Sequence, residues 1–140
     1  MYISKRYPKD MEYIGETDWT DNNILSFSKT SEEYERESKN QVYRMCMRLN
    51  ILDLSPKHLA IASGVRFGII SDARYGIEAP SIGDLQSLQY GMNKIEAIVC
   101  YIEFMHGEYS PDHFPKLSDI DIYYTYILMD RDDGIYGGRI

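Results

Sequence analysis

Two short helical segments joined at a glycine constrain the fold of this chain more than any other feature of its sequence. Ser55 and Pro56 are a capping residue and a proline at the first helical position, so the first segment is predicted to begin there. It is predicted to end at Gly64, because glycine readily adopts the left-handed conformation that ends a helix. A second helix is predicted over residues 66–75, so the sequence favours two short helices separated by a tight turn.

Three further helices are predicted around this pair. Thr30, followed by serine and two glutamates, is typical of a helix start, and the helix is expected to cover residues 31–50. Pro80 and a serine precede apolar residues at helical spacing, which predicts a fourth helix over residues 81–92. The same spacing predicts a fifth helix over residues 93–106, so the centre of the chain is expected to be helical throughout.

The C-terminal segment IDIYYTYILMD, residues 120–130, is rich in β-branched and aromatic residues, which favours a strand. The sequences RDDG and IYGG follow it and predict a hairpin turn. Successive side chains of a strand point to opposite faces. One face would therefore carry Ile122, Tyr124, Tyr126 and Leu128, and the other face would carry Tyr123 and Ile127. A short hairpin cannot bury both faces alone, so this segment is expected either to pack on the helices or to pair with a second chain.

Composition excludes several classes of protein. The chain has 140 residues, about the size of one domain, and no apolar run of the roughly 20 residues that a membrane span needs. The N-terminus has no apolar segment of the signal-peptide kind, so we expect a cytoplasmic protein without membrane contact.

Cys46 and Cys100 lie in helical patterns and are expected to be free and buried. The segment HGEYSPDH, residues 106–113, matches no metal-ligand pattern, and no nucleophile or phosphate-loop motif is present, so neither an enzyme nor a cofactor is expected.

Charge is distributed unevenly along the chain. The net charge of −7 argues against a general nucleic-acid-binding protein. Residues 41–92 nevertheless carry five basic and four acidic side chains, so this middle part lacks the net negative charge of the two parts that flank it. A nucleic-acid contact, if there is one, is therefore expected in the middle of the chain.

Residues 54–88, LSPKHLAIASGVRFGIISDARYGIEAPSIGDLQSL, resemble the helix-turn-helix domains of the phage lambda repressor and Cro type, the XRE family. The following residues fall without gaps where the pattern of that family places them: Leu54, Leu59, Ala60, Ser63, Gly64, Val65, Ile70, Ser71, Gly76, Pro80, Ser81, Ile82 and Leu85. With the flanking helices, the resemblance extends over about residues 41–105.

The resemblance implies a mainly α fold. Residues 31–106 would form a five-helix lambda-repressor-like domain, residues 1–30 an N-terminal arm, and residues 107–140 a Tyr-rich extension with the strand or hairpin. The residues implied to contact double-stranded DNA are Ser55, Lys57, Arg66, Phe67, Gly68, Ser71, Asp72 and Arg74. Additional phosphate contacts are expected from Arg44, Arg48, Lys5, Arg6 and Lys9. Regulators of this family usually act as dimers, which implies a homodimer through Tyr123, Tyr124 and Tyr126.

Several of these positions depart from what DNA recognition needs. Only Arg66 and Ser71 have side chains well suited to base edges. Phe67 could touch a thymine methyl group, but a carboxylate at Asp72 is costly beside phosphates unless it accepts from a cytosine. Pro56 stands where the family has a glutamine that anchors a phosphate.

The sequence therefore leaves two hypotheses. The first is a dimeric, sequence-specific DNA-binding transcriptional regulator of repressor type, encoded by a phage or mobile element as is usual in the family. The alternative is a degenerate helix-turn-helix protein that acts through protein–protein interaction, such as an antirepressor or a small inhibitor of a nucleic-acid enzyme. The alternative rests on Phe67, Ile69 and Tyr75, which would form an apolar face between acidic flanks. A continuous positive strip along Lys57, Arg66 and Arg74 would favour DNA, and a broken strip would favour a protein partner.

Overall fold

The computed structural model describes residues 18–21, 23–26 and 29–135, and the regular structure of these residues is helical throughout. The α-helices are α1 (Ser31–Ile51), α2 (Pro56–Ser63), α3 (Phe67–Arg74), α4 (Ile82–His106) and α5 (Ile120–Ile135), with short 3₁₀ turns at Pro111–His113 and Leu117–Asp119. The mainly helical fold class is thereby confirmed. Within the described residues, every helix is too short or too polar to cross a membrane.

The predicted starts of α1 and α2 and the predicted end of α2 are confirmed. Thr30 Oγ1 accepts a hydrogen bond from Glu33 N, and Thr30 N donates to Glu33 Oε1, which is a capping box. Ser55 Oγ accepts from Lys57 N at the start of α2. Gly64 has φ of 76°, the left-handed conformation that the sequence predicted for this turn.

The two helices predicted over residues 81–92 and 93–106 are one continuous helix, α4, so that part of the prediction is wrong. The junction between them contains no proline, and buried residues keep helical spacing across it: Leu88, Met92, Ile95 and Val99. The break was expected because the apolar spacing was divided into two runs, but the two runs are continuous. The helix ends instead at Gly107, which has φ of 87°.

A close crossing of α2 and α4 explains why α4 tolerates a buried glycine. A Cβ atom on Gly91 would lie 2.7 Å from Ser63 Cβ and 2.9 Å from Ser63 Cα. A side chain at residue 91 would therefore overlap the last residue of α2. The glycine lets α2 lie directly on α4, and this contact positions the turn that leads into α3.

The prediction of a C-terminal strand and hairpin is also wrong, since residues 120–135 form a helix, α5. Ile120 and Ile127, which are two helical turns apart, are fully buried, and Tyr123 and Tyr124 pack partly against the core. Burial of this helical stripe overrides the strand propensity of the individual residues. Residues 136–140, which include most of the predicted IYGG arm, lie outside the described residues.

Two polar contacts join α5 to α4. Lys94 Nζ lies 2.8 Å from Asp121 Oδ1, and Tyr101 donates a 2.8 Å hydrogen bond from its hydroxyl to Asp130 Oδ2. The hydrophobic stripe and these contacts make α5 part of the helical body.

A buried ion pair joins α1 to α4. Arg48 donates two 2.9 Å hydrogen bonds to the buried carboxylate of Glu96, and Trp19 Nε1 donates to the same carboxylate at 3.3 Å. Gln41 Nε2 donates to the carbonyl of Trp19, and Gln89 Nε2 donates to Gln41 Oε1. The guanidinium of Arg48, a predicted phosphate contact, is thus engaged with Glu96, where its attraction offsets the desolvation of that carboxylate.

Besides Glu96, α1 and α4 bury two cysteine thiols and a second carboxyl group. Cys46 and Cys100 are buried and form no disulfide, as predicted, and burial raises the pKa of the Cys46 thiol. Glu103 is 9% exposed, and burial raises the pKa of its carboxyl group to about 7. The carboxyl group of Glu103 therefore titrates near neutral pH in the folded protein.

Alanine substitutions at two glycines of α4 test the crossing. Gly91→Ala is expected to lower the free energy of unfolding by about 1–3 kcal/mol, because the new methyl group overlaps Ser63. Gly83→Ala is the matched control, since a Cβ there meets nothing within 4 Å, and it is expected to raise stability by up to about 1 kcal/mol through helix propensity. Urea denaturation of both variants measures the difference, and equal stability of the two would contradict a close crossing.

Burial of Glu103 predicts a pH dependence of stability. The pKa rises from 4.5 in the unfolded chain to about 7 in the folded protein, so the folded state binds this proton more tightly. Stability from this group is fully present below pH 4.5 and is lost as the pH rises through 7. Glu103→Gln should remove this loss, so the variant should gain stability relative to the wild-type protein between pH 4.5 and 8. A difference between the two proteins that stays constant across this range would argue against the buried carboxyl group.

Candidate functional site

The structure places α3 with one face in the core and the other exposed. Val65, Ile70 and Ala73 are buried, and they hold α3 against the rest of the domain. Residues 66–68, at the start of α3, are exposed, and Arg66 precedes the helix as its N-cap without a side-chain hydrogen bond to the cap. The exposed face of α3 is therefore available to a partner without rearrangement of the core.

The candidate DNA-contacting residues separate into groups. Arg66, Gly68 and Asp72 line one groove beside α3, whereas Lys57 is exposed in the first turn of α2. Ser55 caps α2 through its side chain, so its hydroxyl group already accepts a hydrogen bond from Lys57 N. The other candidates lie on α3: Phe67 is exposed, and Ser71 and Arg74 are partly buried.

The groove lies between α3 and the start of α4. Its lining includes the guanidinium-bearing Arg66 and three carboxylate residues: Asp72, Glu78 and Asp84. Ile69, Ala79 and Pro80 contribute apolar surface to the same lining. Three acidic side chains against one basic side chain give the groove an acidic character, which disfavours a phosphate backbone.

Large apolar side chains are exposed beside this groove. Phe67 is 45% exposed, Tyr75 65% and Ile77 70%. Ile69, which was expected on the same apolar face, is instead partly buried and packs against the core. We call the exposed residues Phe67, Tyr75 and Ile77, together with the groove residues Arg66, Asp72, Glu78 and Asp84, the α3 surface.

The basic candidates have different neighbours. The guanidinium carbon of Arg74 lies 4.9 Å from the centre of the Tyr75 ring, a cation–π contact with its own neighbour. Arg66 shares its groove with Asp72 and two other carboxylates. Of the other expected phosphate contacts, Arg44 is exposed on α1, and Lys5, Arg6 and Lys9 lie outside the described residues.

Sequence reasoning missed the loop between α3 and α4 as part of this surface. The loop carries Ile77 and Glu78, and two hydrogen bonds from α1 hold it in place. Tyr34 donates from its hydroxyl to the carbonyl of Pro80 at 2.8 Å, and Lys39 Nζ donates to the carbonyl of Gly76 at 3.3 Å. The left-handed turn at Gly76 was the one sequence signal that pointed to this loop.

The three tyrosines expected at a dimer contact do not share one environment. Tyr123 packs edge to face with Tyr101, with ring centroids 6.3 Å apart, and Lys94 Nζ lies 5.4 Å from the centre of the Tyr124 ring. Both tyrosines thus contact α4 of the same chain. Tyr126 also packs edge to face with Tyr101, with ring centroids 6.5 Å apart, but it is the most exposed of the three, and the homodimer stays a prediction.

Comparisons of the chain with protein-family models, with curated proteins and with solved structures found no match.

Proposed function

We propose that this chain is a lambda-repressor-type helix-turn-helix domain that binds a basic protein partner through the α3 surface, and that it acts by binding rather than by catalysis. The helix-turn-helix assignment is supported by the order of α2, the left-handed Gly64 and α3. One observation carries the choice of partner. Exposed aromatic and aliphatic side chains of α3 and of the loop after it occur together with a groove that three carboxylates line.

The apolar part of the α3 surface supplies the affinity in this proposal. Phe67 and Tyr75 are large side chains of the kind that dominate binding energy when a partner covers them. Tyr75 is already stacked on Arg74, so less side-chain freedom is lost on binding. The position of Ile77 beside them enlarges the area from which a partner would exclude water.

The carboxylates supply specificity. Asp72, Glu78 and Asp84 lie along one groove, and their summed charge attracts a basic segment and repels an acidic one. DNA would bring phosphates to the same groove, where only Arg66 is available to neutralise them. Charge complementarity therefore favours a lysine- or arginine-rich protein segment.

Substitutions on and off the α3 surface test this proposal. Phe67→Ala is expected to weaken the complex about tenfold or more, because a side chain covered by the partner is lost. Glu78→Lys should weaken it through repulsion, most strongly at low salt. Met47→Ala is the matched control, since Met47 is 49% exposed and lies on α1. Quantitative affinity capture from the native host with these variants gives the comparison.

The captured proteins test the proposal only through the difference between variants on the α3 surface and the control variant off it. A partner with a basic binding segment that is retained by Met47→Ala and lost with Phe67→Ala supports the proposal. Recovery of the same proteins by Phe67→Ala and by the wild-type chain would refute a role for the α3 surface.

A second proposed function is sequence-specific DNA binding by the same domain, acting as a repressor-like transcriptional regulator. It is favoured by the exposure of Arg66 at the start of α3 and of Lys57 in the first turn of α2. These are the two helices that a helix-turn-helix protein places against a duplex. Asp72 would then have to accept a hydrogen bond from a cytosine.

Two substitutions are expected to move duplex affinity in opposite directions if this second function holds. Arg66→Ala should weaken binding about tenfold or more by removing the best base-edge donor, and Asp72→Asn should strengthen binding to mixed-sequence DNA by removing a charge. Fluorescence anisotropy with a labelled duplex measures both effects. If neither substitution changes the affinity, α3 does not enter the groove.

A further inference from the structure

All three histidines of the chain adjoin the connector between α4 and α5, residues 107–119. His106, the last residue of α4, stacks on His113 with ring centroids 3.7 Å apart and planes 5° from parallel. His58 on α2 packs edge to face against Phe114, with centroids 5.5 Å apart. Phe114 is buried in the core, so it fastens the connector to α2.

His58 has a structural role that needs its neutral form. Its Nδ1 atom lies 3.0 Å from Ser55 N, from which it accepts a hydrogen bond that caps α2. Burial is the larger influence and lowers the pKa of His58, while the Ser55 backbone acts in the opposite direction. The Ser55 carbonyl, 3.3 Å away, could accept from a protonated Nδ1, but the Ser55 N–H would then face a second donor. Protonation of His58 therefore disturbs both the cap and the contact with Phe114.

The stacked pair fastens the connector at a second place, because it joins His113 to the last residue of α4. Both rings are exposed, as are Glu108 and Asp112 of the connector. Glu103, one turn before His106, is buried, and burial raises the pKa of its carboxyl group to about 7, so it contributes little negative charge in acid.

The remaining charged groups around the connector lie on its borders. Lys57 precedes His58 on α2, and Lys116 follows Phe114 in the connector; both are exposed and basic, so they oppose further positive charge. Asp53, after α1, acts on Tyr109 of the connector. Tyr109 donates a 2.7 Å hydrogen bond to the carbonyl of Leu52, an anchor that does not depend on a histidine.

We propose that the connector is a pH-sensitive latch: protonation of His58 releases residues 110–119 from α2. The buried His58 ring accepts a hydrogen bond in its neutral form, so the latch is closed at neutral pH and opens in acid. The second 3₁₀ turn, Leu117–Asp119, and α5 both contact α2, so opening uncovers part of that helix. The rest of the domain stays folded, because α2 also packs on α4. This device is independent of the function proposed for the α3 surface.

Hydrogen exchange measured by mass spectrometry at pH 7.5 and pH 5.5 tests the latch. After correction for the intrinsic chemical exchange rates, the exchange rate of the connector amides is expected to increase at least about threefold in acid. The amides of residues 88–100 of α4 are expected to stay protected. In the double variant His58→Gln, His113→Gln the increase should disappear. Glutamine at the third position of α2 can still accept from Ser55 N, so the cap is kept.

Two outcomes would overturn the proposal: equal connector protection of the wild-type protein at both pH values, or an unchanged acid response in the double variant. If the double variant does not fold, nuclear magnetic resonance titration of the three wild-type histidines decides. The proposal requires a pKa of His58 below about 6.5, and it requires the signals of Phe114 to shift over the same pH range as those of His58. Titration of His58 at or above that value would refute it.

Discussion

The close approach of α2 and α4 at Ser63 and Gly91 is the contact on which the rest of the structure depends. There is no room for a side chain at Gly91, so α2 lies directly against the middle of the longest helix. This seats Leu59 in the core and brings the chain to the left-handed turn at Gly64. The turn fixes the direction in which α3 leaves, and α3 carries the candidate surface.

The inner and the outer residues of α3 have different physical explanations. Its inner residues, Ile70 and Ala73, are buried and are explained by packing. Its outer residues are not explained in this way. Gly68 has open space around the position of a Cβ atom, and Phe67 leaves almost half of its side chain exposed. Packing within the domain does not explain the exposed part of Phe67 or the glycine at residue 68, so both are candidates for contact with the proposed partner.

The sequence predicted those features whose causes are local. Caps at Thr30 and Ser55 and the turn at Gly64 depend on a few neighbouring residues, and all three form as expected. The break inside α4 was predicted between two runs of apolar residues at helical spacing, and it does not form because the two runs are continuous. For residues 120–135, local strand propensity pointed the wrong way, because burial of one stripe against α4 decides the structure of this segment.

The candidate surface was predictable only in part, for a similar reason. Arg66, Phe67 and Asp72 lie within one short segment of the chain, at the start of α3 and along it, and were found from the sequence. Glu78 and Asp84 join them only because the loop after α3 folds back beside it, and this tertiary arrangement is what makes the groove acidic. The affinity of the unmodified protein for a mixed-sequence DNA duplex at about 50 mM salt, where phosphate contacts are strongest, tests the central claim most directly. The proposed basic protein partner predicts no measurable binding to DNA under these conditions, and tight binding that weakens steeply with added salt would contradict it.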